Sequence, residues 1–366
     1  MVRGKLQTQL IDLVVRGFFV LSIFLPGVIR ASLQEDFYEL MGKKQPVWQF
    51  LLQEDRQTLD KFAESFNKTL LQIQSKRGTI PNSLHFIWVG PNEFPAESIK
   101  NIQSWVEKHP GYKVYFWSDR ERMLPHACMQ LRLVDEFKWL SLKDFYTDSS
   151  NPAEKADILR YEILYQEGGI YIDHDVECFK PFTQFVENFD LFCGLEFPHS
   201  PIATTSITVC NNIIGSCPKH PILKKSMEIV AERWNKYKRM YPGHDSDSVT
   251  RRVYHRTFSA FDDAVKMLLD DASYRNIVFP AGYFNKLGKN LGLYAHHQYA
   301  NTWFEKESKF ERNVRQNLVK ICRKNNQLML IMSTLFLLSS LVIFALFMQM
   351  RSIKRELKRA SYKDRA

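Results

Sequence analysis

Residues 151–175 constrain the fold more than any other stretch, because a helix pattern, a glycine pair and a short apolar strand follow one another directly. Asn151 can cap a helix with Pro152 at its first position, and the glycine pair that starts at Gly168 can end it. The pattern predicts a helix of about four turns and then a strand over 170–172. A helix that leads directly into a buried strand indicates an α/β fold.

Two carboxylates, Asp173 and Asp175, follow that strand with one residue between them. Side chains alternate along a strand, so we expect both aspartates on the same side of it. A hard cation such as Mg²⁺ or Mn²⁺ that binds one or two protein carboxylates keeps other positions open for diphosphate oxygens. A bare Asp-x-Asp is common in solvated turns, but its place at the carboxyl end of a strand favours a ligand site.

A single stripe of the predicted helix carries Asp157, Arg160, Tyr161 and Leu164, at helical spacings of three and four residues. The stripe therefore directs an acid and a guanidinium side by side toward the following strand. The alternative is a surface ion pair, which would stabilise the helix by only a few tenths of a kcal/mol. The tyrosines of this block are interpreted as packing between helix and sheet, namely Tyr161, Tyr165 and Tyr171.

The block is similar to the Asp-x-Asp sugar-binding region of glycosyltransferase family 32, which includes α-mannosyltransferases that act on glycans and on inositol phosphoceramide. It also resembles the glucosylating domain of the large clostridial toxins. The resemblance implies that Asp157 and Arg160 are catalytic residues that contact the donor sugar. It implies that Asp173 and Asp175 bind Mn²⁺ or Mg²⁺ and the donor diphosphate.

A second similar segment, 80–90, is nearly continuously apolar from Leu84 to Val89, which is typical of a parallel strand covered on both faces. A buried helix stripe that begins at Ile99 follows, and then another strand, so a βαβ unit is predicted. The resemblance implies that Trp88 stacks on the nucleotide base. The alternative is that Trp88 is an ordinary core residue.

After the Asp-x-Asp block, fewer residues carry the resemblance. The segment around Asn212 is similar to the family's asparagine-containing stretch, which implies contact with the donor. Residues 297–303 resemble a terminal pattern that closes over the donor, with conservative departures at Asn301 and Thr302. By this analogy His297 lies beside the metal or diphosphate, and Thr302 and Trp303 contact the donor.

These patterns predict an α/β fold: a Rossmann-like GT-A nucleotide-sugar domain over 79–310 with a mostly parallel sheet. Residues 34–78 are polar with helical character and are interpreted as a stalk or an acceptor-side helical layer. Residues 1–33 contain an uncharged apolar run that is typical of a signal or short anchor, although an amphipathic or core helix is the alternative.

The segment 326–350 lies within a stretch free of charge, and its 21 apolar or small residues from Leu328 to Met348 suffice to cross a bilayer. We therefore expect a single-pass transmembrane helix and a membrane localisation. The tail 351–366 has seven Lys or Arg against two acids and so supplies five of the ten net positive charges. Half of the net positive charge therefore lies in the segment that would flank the membrane. The sequence has no basic stripe interleaved with aromatic residues, so we do not infer a nucleic-acid partner.

Other reaction classes lack their signatures. The sequence has no phosphate-binding glycine loop and no nucleophile elbow, and its six cysteines have no zinc spacing. The residues favour metal-dependent transfer of a hexose, possibly mannose, from a GDP- or UDP-linked sugar to a membrane-proximal glycan or lipid, with retention implied by the resemblance. Two alternatives stay open: a toxin-like effector that glycosylates a protein, and a non-catalytic membrane module that binds nucleotide sugars.

Overall fold

The structure, a computed structural model, describes residues 36–73, 78–199, 205–286 and 292–300. The described helices are α1 (Phe37–Leu40), α2 (Asp55–Leu71), α3 (Ala96–Lys108), α4 (Lys143–Asp148), α5 (Pro152–Glu167), α6 (Thr183–Asn188), α7 (Pro221–Met240), α8 (Ser246–Val253) and α9 (Ser259–Leu268). The strands are β1 (Ser83–Trp88), β2 (Lys113–Ser118), β3 (Met129–Leu133), β4 (Gly169–Ile172), β5 (Val176–Cys178), β6 (Leu191–Leu195), β7 (Val209–Ser216), β8 (Asn276–Phe279) and β9 (Ala295–His297). A π-helical segment, Tyr254–Phe258, joins α8 to α9.

Seven strands form one sheet in the order β3-β2-β1-β4-β7-β6-β8. β1 pairs in parallel with β2 and β4, while β7 runs antiparallel to both β4 and β6. Since β6 and β4 are both antiparallel to β7, their carboxyl ends lie at the same edge of the sheet. The predicted α/β class with a mostly parallel sheet is confirmed.

The junction between α5 and β4 forms as the sequence predicts. The Asn151 side chain accepts hydrogen bonds from the second and third backbone N–H groups of α5. Gly168 and Gly169 have φ of 67° and 98°, which side chains with a Cβ rarely adopt. A Cβ on Gly169 would lie 2.2 Å from the Ser83 hydroxyl, so this close approach of β4 to β1 requires glycine.

A buried histidine, His85 of β1, lies beneath this glycine turn. Its Nε2 is 3.0 Å from the Gly168 carbonyl oxygen, and its Nδ1 accepts a hydrogen bond from the Trp117 indole at 3.2 Å. This pattern requires the neutral ring with its proton on Nε2. Burial, the largest cause, lowers the pKa of His85 to about 3. His85 therefore connects three strands of the sheet without carrying charge.

The helix predicted after β1 is α3, but its buried face differs by one position from the expectation. Ile99 is 42% exposed, while Ile102 and Trp105 are fully buried. The Trp105 indole donates to the Val176 carbonyl oxygen at 2.8 Å, and this contact fixes which face of α3 is turned inward. The prediction of a buried Ile99 was wrong because apolar spacing alone did not set the rotation of the helix.

The segment interpreted as a stalk or an acceptor-side layer contains α2, which packs on the sheet. Phe66 of α2 lies against Phe279 of β8 with ring centroids 6.1 Å apart. The buried Thr69 hydroxyl donates to the Asn276 carbonyl oxygen at 3.0 Å. Residues 55–71 therefore belong to the same hydrophobic core as the sheet.

The predicted terminal segments 1–33, 326–350 and 351–366 lie outside the described residues and stay predictions. Within the described ranges, no helix is both long enough and apolar enough to cross a bilayer.

Candidate active site

The two aspartates lie at the carboxyl edge of the sheet, but not on a strand. β4 ends at Ile172, and the Asp173 backbone N–H donates to the Asn212 carbonyl oxygen at 2.8 Å. The chain then turns, with the Val176 N–H donating to the Asp173 carbonyl oxygen at 3.2 Å. The expectation that strand alternation aligns Asp173 and Asp175 was therefore wrong, and a tight turn brings their carboxylates together instead.

His297 joins the two aspartates from a distant part of the chain. β5 pairs antiparallel with β9, and Val176 lies opposite His297, so the histidine is held beside Asp175. The His297 Nε2 is 3.4 Å from Asp175 Oδ2. One ligand atom each from Asp173, Asp175 and His297 lie within 4.8 Å of one another. The sequence resemblance placed these three side chains together, and the structure does the same.

The chain after His297 wraps around Asp175. The Ala300 N–H donates to Asp175 Oδ2 at 2.8 Å, and the Gln298 N–H donates to the Asp175 carbonyl oxygen at 2.9 Å. Tyr299 has φ 52° and lies on His297 with ring centroids 4.1 Å apart. Residues 298–300 therefore lie against Asp175 and His297, and the predicted closure of this segment over the donor stays a prediction. Thr302 and Trp303 lie outside the described residues, and their predicted contacts stay predictions.

The two carboxylates of the cluster suit a cation, which would take the place of the proton that Asp175 favours on His297. Burial raises the pKa of the Asp175 carboxyl, but the hydrogen bond and charge of His297 outweigh burial and hold that pKa well below its usual range. Burial lowers the pKa of His297, and the bond to Asp175 more than restores it. The buried His297 Nδ1 has no partner among the described residues. Two carboxylates and an imidazole with a ring nitrogen to spare are a donor set that fits a divalent metal.

Asp157 and Arg160 form a buried pair and not the surface pair considered as an alternative. Arg160 Nη2 lies 2.9 Å from Asp157 Oδ1 and 3.3 Å from Asp173 Oδ1. Arg160 Nη1 donates to the Asn211 carbonyl oxygen at 2.6 Å, and the guanidinium lies 4.1 Å from the centre of the Tyr171 ring. Arg160 thus connects Asp157 to Asp173, the first aspartate of the turn.

Two further groups hold Asp157, and Tyr161 in turn holds one of them. The Thr257 hydroxyl donates to Asp157 Oδ2 at 2.6 Å, and the Asn211 amide donates to Asp157 Oδ1 at 2.9 Å. The Tyr161 hydroxyl donates to the Thr257 carbonyl oxygen at 3.0 Å. Burial raises the pKa of the Asp157 carboxyl, while Arg160 and Thr257 lower it. Asp157 and Arg160 lie side by side as predicted. Their predicted contact with the donor sugar stays a prediction, and both Asp157 oxygens already have protein partners.

Sequence reasoning missed several members of this network. Tyr171 was interpreted as packing, yet its hydroxyl donates to Asp173 Oδ1 at 2.5 Å. Its position two residues before the first aspartate was an available signal, because strand side chains two apart share a face. Thr257 and Asn211 had no local signal. Thr257 lies on the π-helical segment, 100 residues from the aspartate that it contacts, and such segments are frequent at functional sites.

Asn212 lies on β7 next to Asp173 and is buried. Neither polar atom of its side chain has a hydrogen-bond partner in the described part of the chain. Its neighbour Asn211 faces the other side of the sheet and donates to both Asp157 and the Tyr161 hydroxyl. A buried amide without partners costs free energy, so Asn212 is a site that a polar ligand can satisfy.

Trp88 ends β1 at the same edge as the aspartates. Its indole N–H donates to the Asn92 carbonyl oxygen at 2.9 Å, and its ring meets His174 edge-on with centroids 4.9 Å apart. Trp88 is therefore near the Asp-x-Asp turn, but it is also a core residue, as the alternative held. Stacking on a nucleotide base stays a prediction.

The comparisons with known proteins agree with this geometry. Residues 95–190 match the family described as a glycosyltransferase sugar-binding region containing a DXD motif. The predicted resemblance is thereby confirmed. The matched region covers α3 to α6 and includes the buried pair and both aspartates of the turn.

Curated relatives match similar portions of the chain. Subversion of eukaryotic traffic protein A of Legionella pneumophila is 31% identical over 171 residues, 42% of this chain and 26% of that protein. Inositol phosphoceramide mannosyltransferase 3 of Schizosaccharomyces pombe is 28% identical, covering 44% of this chain and 40% of that protein. Mannosyl phosphorylinositol ceramide synthase CSH1 of Saccharomyces cerevisiae is 26% identical, covering 57% and 52%. The chain thus spans about half or less of the length of these relatives.

Among solved structures, the UDP-bound glycosyltransferase domain of the YGT toxin is 11% identical with a TM-score of 0.40, covering 56% of this chain and 80% of that one. The catalytic domain of alpha-toxin from Clostridium novyi is 12% identical with a TM-score of 0.35, covering 64% and 72%.

Proposed function

We propose that this chain is a metal-dependent glycosyltransferase that moves a hexose from a nucleotide sugar to a hydroxyl acceptor. The observation that carries the proposal is the cluster of Asp173, Asp175 and His297, with ligand atoms within 4.8 Å at the carboxyl edge of an α/β sheet. The matched family is named for a sugar-binding region with such a motif, which supports the same function.

Asp173, Asp175 and His297 would hold Mn²⁺ or Mg²⁺. When bound, such an ion neutralises negative charge that develops on a departing nucleoside diphosphate. The bond between the sugar's anomeric carbon and the phosphate oxygen breaks, a bond to the acceptor oxygen forms, and the acceptor's hydroxyl proton leaves with the diphosphate. The family resemblance favours retention of the anomeric configuration, which nuclear magnetic resonance of the first product formed would test.

The chain's own residues supply position and charge. Arg160 reaches Asp173 at 3.3 Å and Asp157 at 2.9 Å, so it holds the helix and the aspartate turn in a fixed relation. Asn212 offers to sugar hydroxyls a carbonyl and an amide group that have no partner among the residues that the structure describes. Holding both substrates in one orientation makes transfer nearly unimolecular.

Mannose, as a GDP-linked donor, is the proposed sugar, because several relatives are named mannosyltransferases. A UDP-linked hexose is the alternative donor. The acceptor is proposed to be a lipid or glycan near a membrane. One relative is named an inositol phosphoceramide mannosyltransferase, and residues 326–350 have the composition of a membrane-spanning helix.

A protein acceptor is the second candidate. It is favoured by the match to the Legionella pneumophila protein, whose name assigns it to subversion of eukaryotic traffic. Labelling membranes with radioactive GDP-mannose or UDP-glucose and Mn²⁺, followed by separation of lipid from protein, tests both candidates. Label in the lipid fraction supports the first candidate, label in protein supports the second, and release of no nucleoside diphosphate from either donor contradicts the glycosyltransferase proposal.

A further inference from the structure

A third carboxylate, Glu196, lies at the same edge of the sheet as the aspartate turn. It directly follows β6, as Asp173 directly follows β4, and these two strands run in the same direction on either side of β7. The Glu196 N–H donates to the Thr208 carbonyl oxygen at 3.0 Å, which extends the pairing of the two strands beyond the last residue of β6.

Strand register places Glu196 on the same face as the unpartnered amide of Asn212. Gly194 lies opposite Cys210 in this antiparallel pair, so Glu196 is level with Thr208, and the side chains of Thr208, Cys210 and Asn212 share its face. The Cys210 thiol lies 3.5 Å from Glu196 Oε1. The Glu196 carboxylate therefore lies beside Cys210 and Thr208, and Asn212 is the next position on this face of β7 beyond Cys210.

Glu196 is poorly neutralised by its surroundings. Its other contacts are the Thr208 hydroxyl at 3.5 Å and His199 Nδ1 at 3.9 Å, and no lysine or arginine pairs with it in the described ranges. Its side chain is 20% exposed.

The strand order therefore sets out a row of groups along one edge. Trp88 ends β1, Asp173 follows β4, Asn212 lies on β7 and Glu196 follows β6. Cys210 lies on this face between the two side chains, so Glu196 is a second polar position at the edge, beyond Asn212. A carboxylate at the far end of this row accepts hydrogen bonds from hydroxyls and repels phosphate.

We propose that Glu196 is an acceptor-binding residue that accepts a hydrogen bond from a hydroxyl of a neutral, polyhydroxylated ring. The proposal rests on the proposed function and deepens it by naming the acceptor class at this position. An acceptor that also carries a phosphate presents a neutral ring to Glu196 and keeps the phosphate away from it.

The test compares Glu196→Gln with Glu228→Gln, a control on α7 whose side chain is 46% exposed. The full chain is given GDP-mannose or UDP-glucose with Mn²⁺, and methyl α-mannoside, myo-inositol or mannose 6-phosphate as acceptor. Hydrolysis of the donor by water is measured without acceptor. Thermal shift by GDP or UDP with Mn²⁺ reports donor binding independently of turnover.

Glu196→Gln is expected to raise the KM for the two neutral acceptors about tenfold, because a hydrogen bond to a charged acceptor group is lost. The ratio of kcat/KM for the neutral probes to kcat/KM for mannose 6-phosphate is also expected to fall. Donor hydrolysis and the thermal shift by GDP or UDP should stay at the wild-type level. Unchanged acceptor KM, equal loss of hydrolysis and transfer, or a wild type without preference for neutral probes overturns the proposal. If the wild type releases no nucleoside diphosphate, the proposed function fails first; if release is intact, only the assignment of Glu196 fails.

Discussion

Two clusters of polar side chains meet at Asp173, and they differ in how many of their atoms already have partners. Around Asp157, the carboxylate accepts from Arg160, Thr257 and Asn211, and the whole group is buried. Around the aspartate turn, Asp173 is 25% exposed, and His297 and Asn212 have polar atoms without partners in the described part of the chain. The first cluster, the Asp157 network, is a frame; the second, the aspartate-turn cluster, is arranged to receive a ligand.

The difference separates two kinds of expected defect. Removing a partner in the Asp157 network leaves a buried charge uncompensated, so stability and activity fall together. Removing an exposed ligand group of the aspartate-turn cluster lowers activity while the fold persists. Each variant below either breaks this separation or sharpens it.

The largest expected effect is on turnover in Asp173→Asn. The amide keeps the size of the carboxylate but removes a negative charge from the proposed metal site, so nucleoside diphosphate release should fall about a thousandfold. The melting temperature should stay near the wild-type value, because Arg160 keeps its pairing with Asp157 at 2.9 Å. The control is Asp247→Asn on α8, whose side chain is 73% exposed. Wild-type turnover in Asp173→Asn would remove this residue from the proposed mechanism.

Thr257 tests the frame with a matched pair. Thr257→Val keeps the shape but removes the hydroxyl that donates to Asp157 Oδ2 at 2.6 Å. We expect a loss of about 3 kcal/mol in the free energy of unfolding, because a buried carboxylate loses a donor. Thr257→Ser keeps the hydroxyl and should recover most of that loss. Urea unfolding measures both, and equal stability of the two variants would contradict the frame assignment.

The adjacent asparagines of β7 give the sharpest contrast. Asn211→Ala should lower the free energy of unfolding by about 2 kcal/mol, because its amide donates to Asp157 and Tyr161. Asn212→Ala removes two unpartnered polar atoms and should leave stability unchanged or slightly raised, while donor KM rises. Equal destabilisation by both substitutions would show that Asn212 is also part of the frame.

The smallest effect is a pH dependence of stability from His85, which lies beneath the glycine turn and belongs to neither cluster. Its folded pKa is about 3 against 6.5 for the ordinary group, so the unfolded chain binds the extra proton below pH 6.5. Stability from this residue is therefore complete above pH 6.5 and falls by about 1 kcal/mol between pH 6.5 and 5.5. His85→Gln should flatten this slope. An unchanged slope in the variant would assign the titration to other groups.

The sequence predicted the parts of the site that are local. The α5–β4 junction follows from capping, glycine and apolar spacing, which act over a few residues. The meeting of His297 with Asp175 depends on the β5–β9 pairing of segments more than 100 residues apart, and only the family resemblance pointed to it. Thr257 was unpredictable because the π-helical turn that directs its hydroxyl has no sequence signature. The rotation of α3, which exposes Ile99, depends on tertiary contacts.

The most direct test of the central claim is Mn²⁺ binding by the full chain in the presence of GDP or UDP, measured by calorimetry. If Asp173, Asp175 and His297 form the metal site, the wild type binds one Mn²⁺ per chain, and Asp175→Asn loses most of that affinity while it stays folded. Mn²⁺ binding of the same affinity and stoichiometry in wild type and Asp175→Asn would contradict the claim.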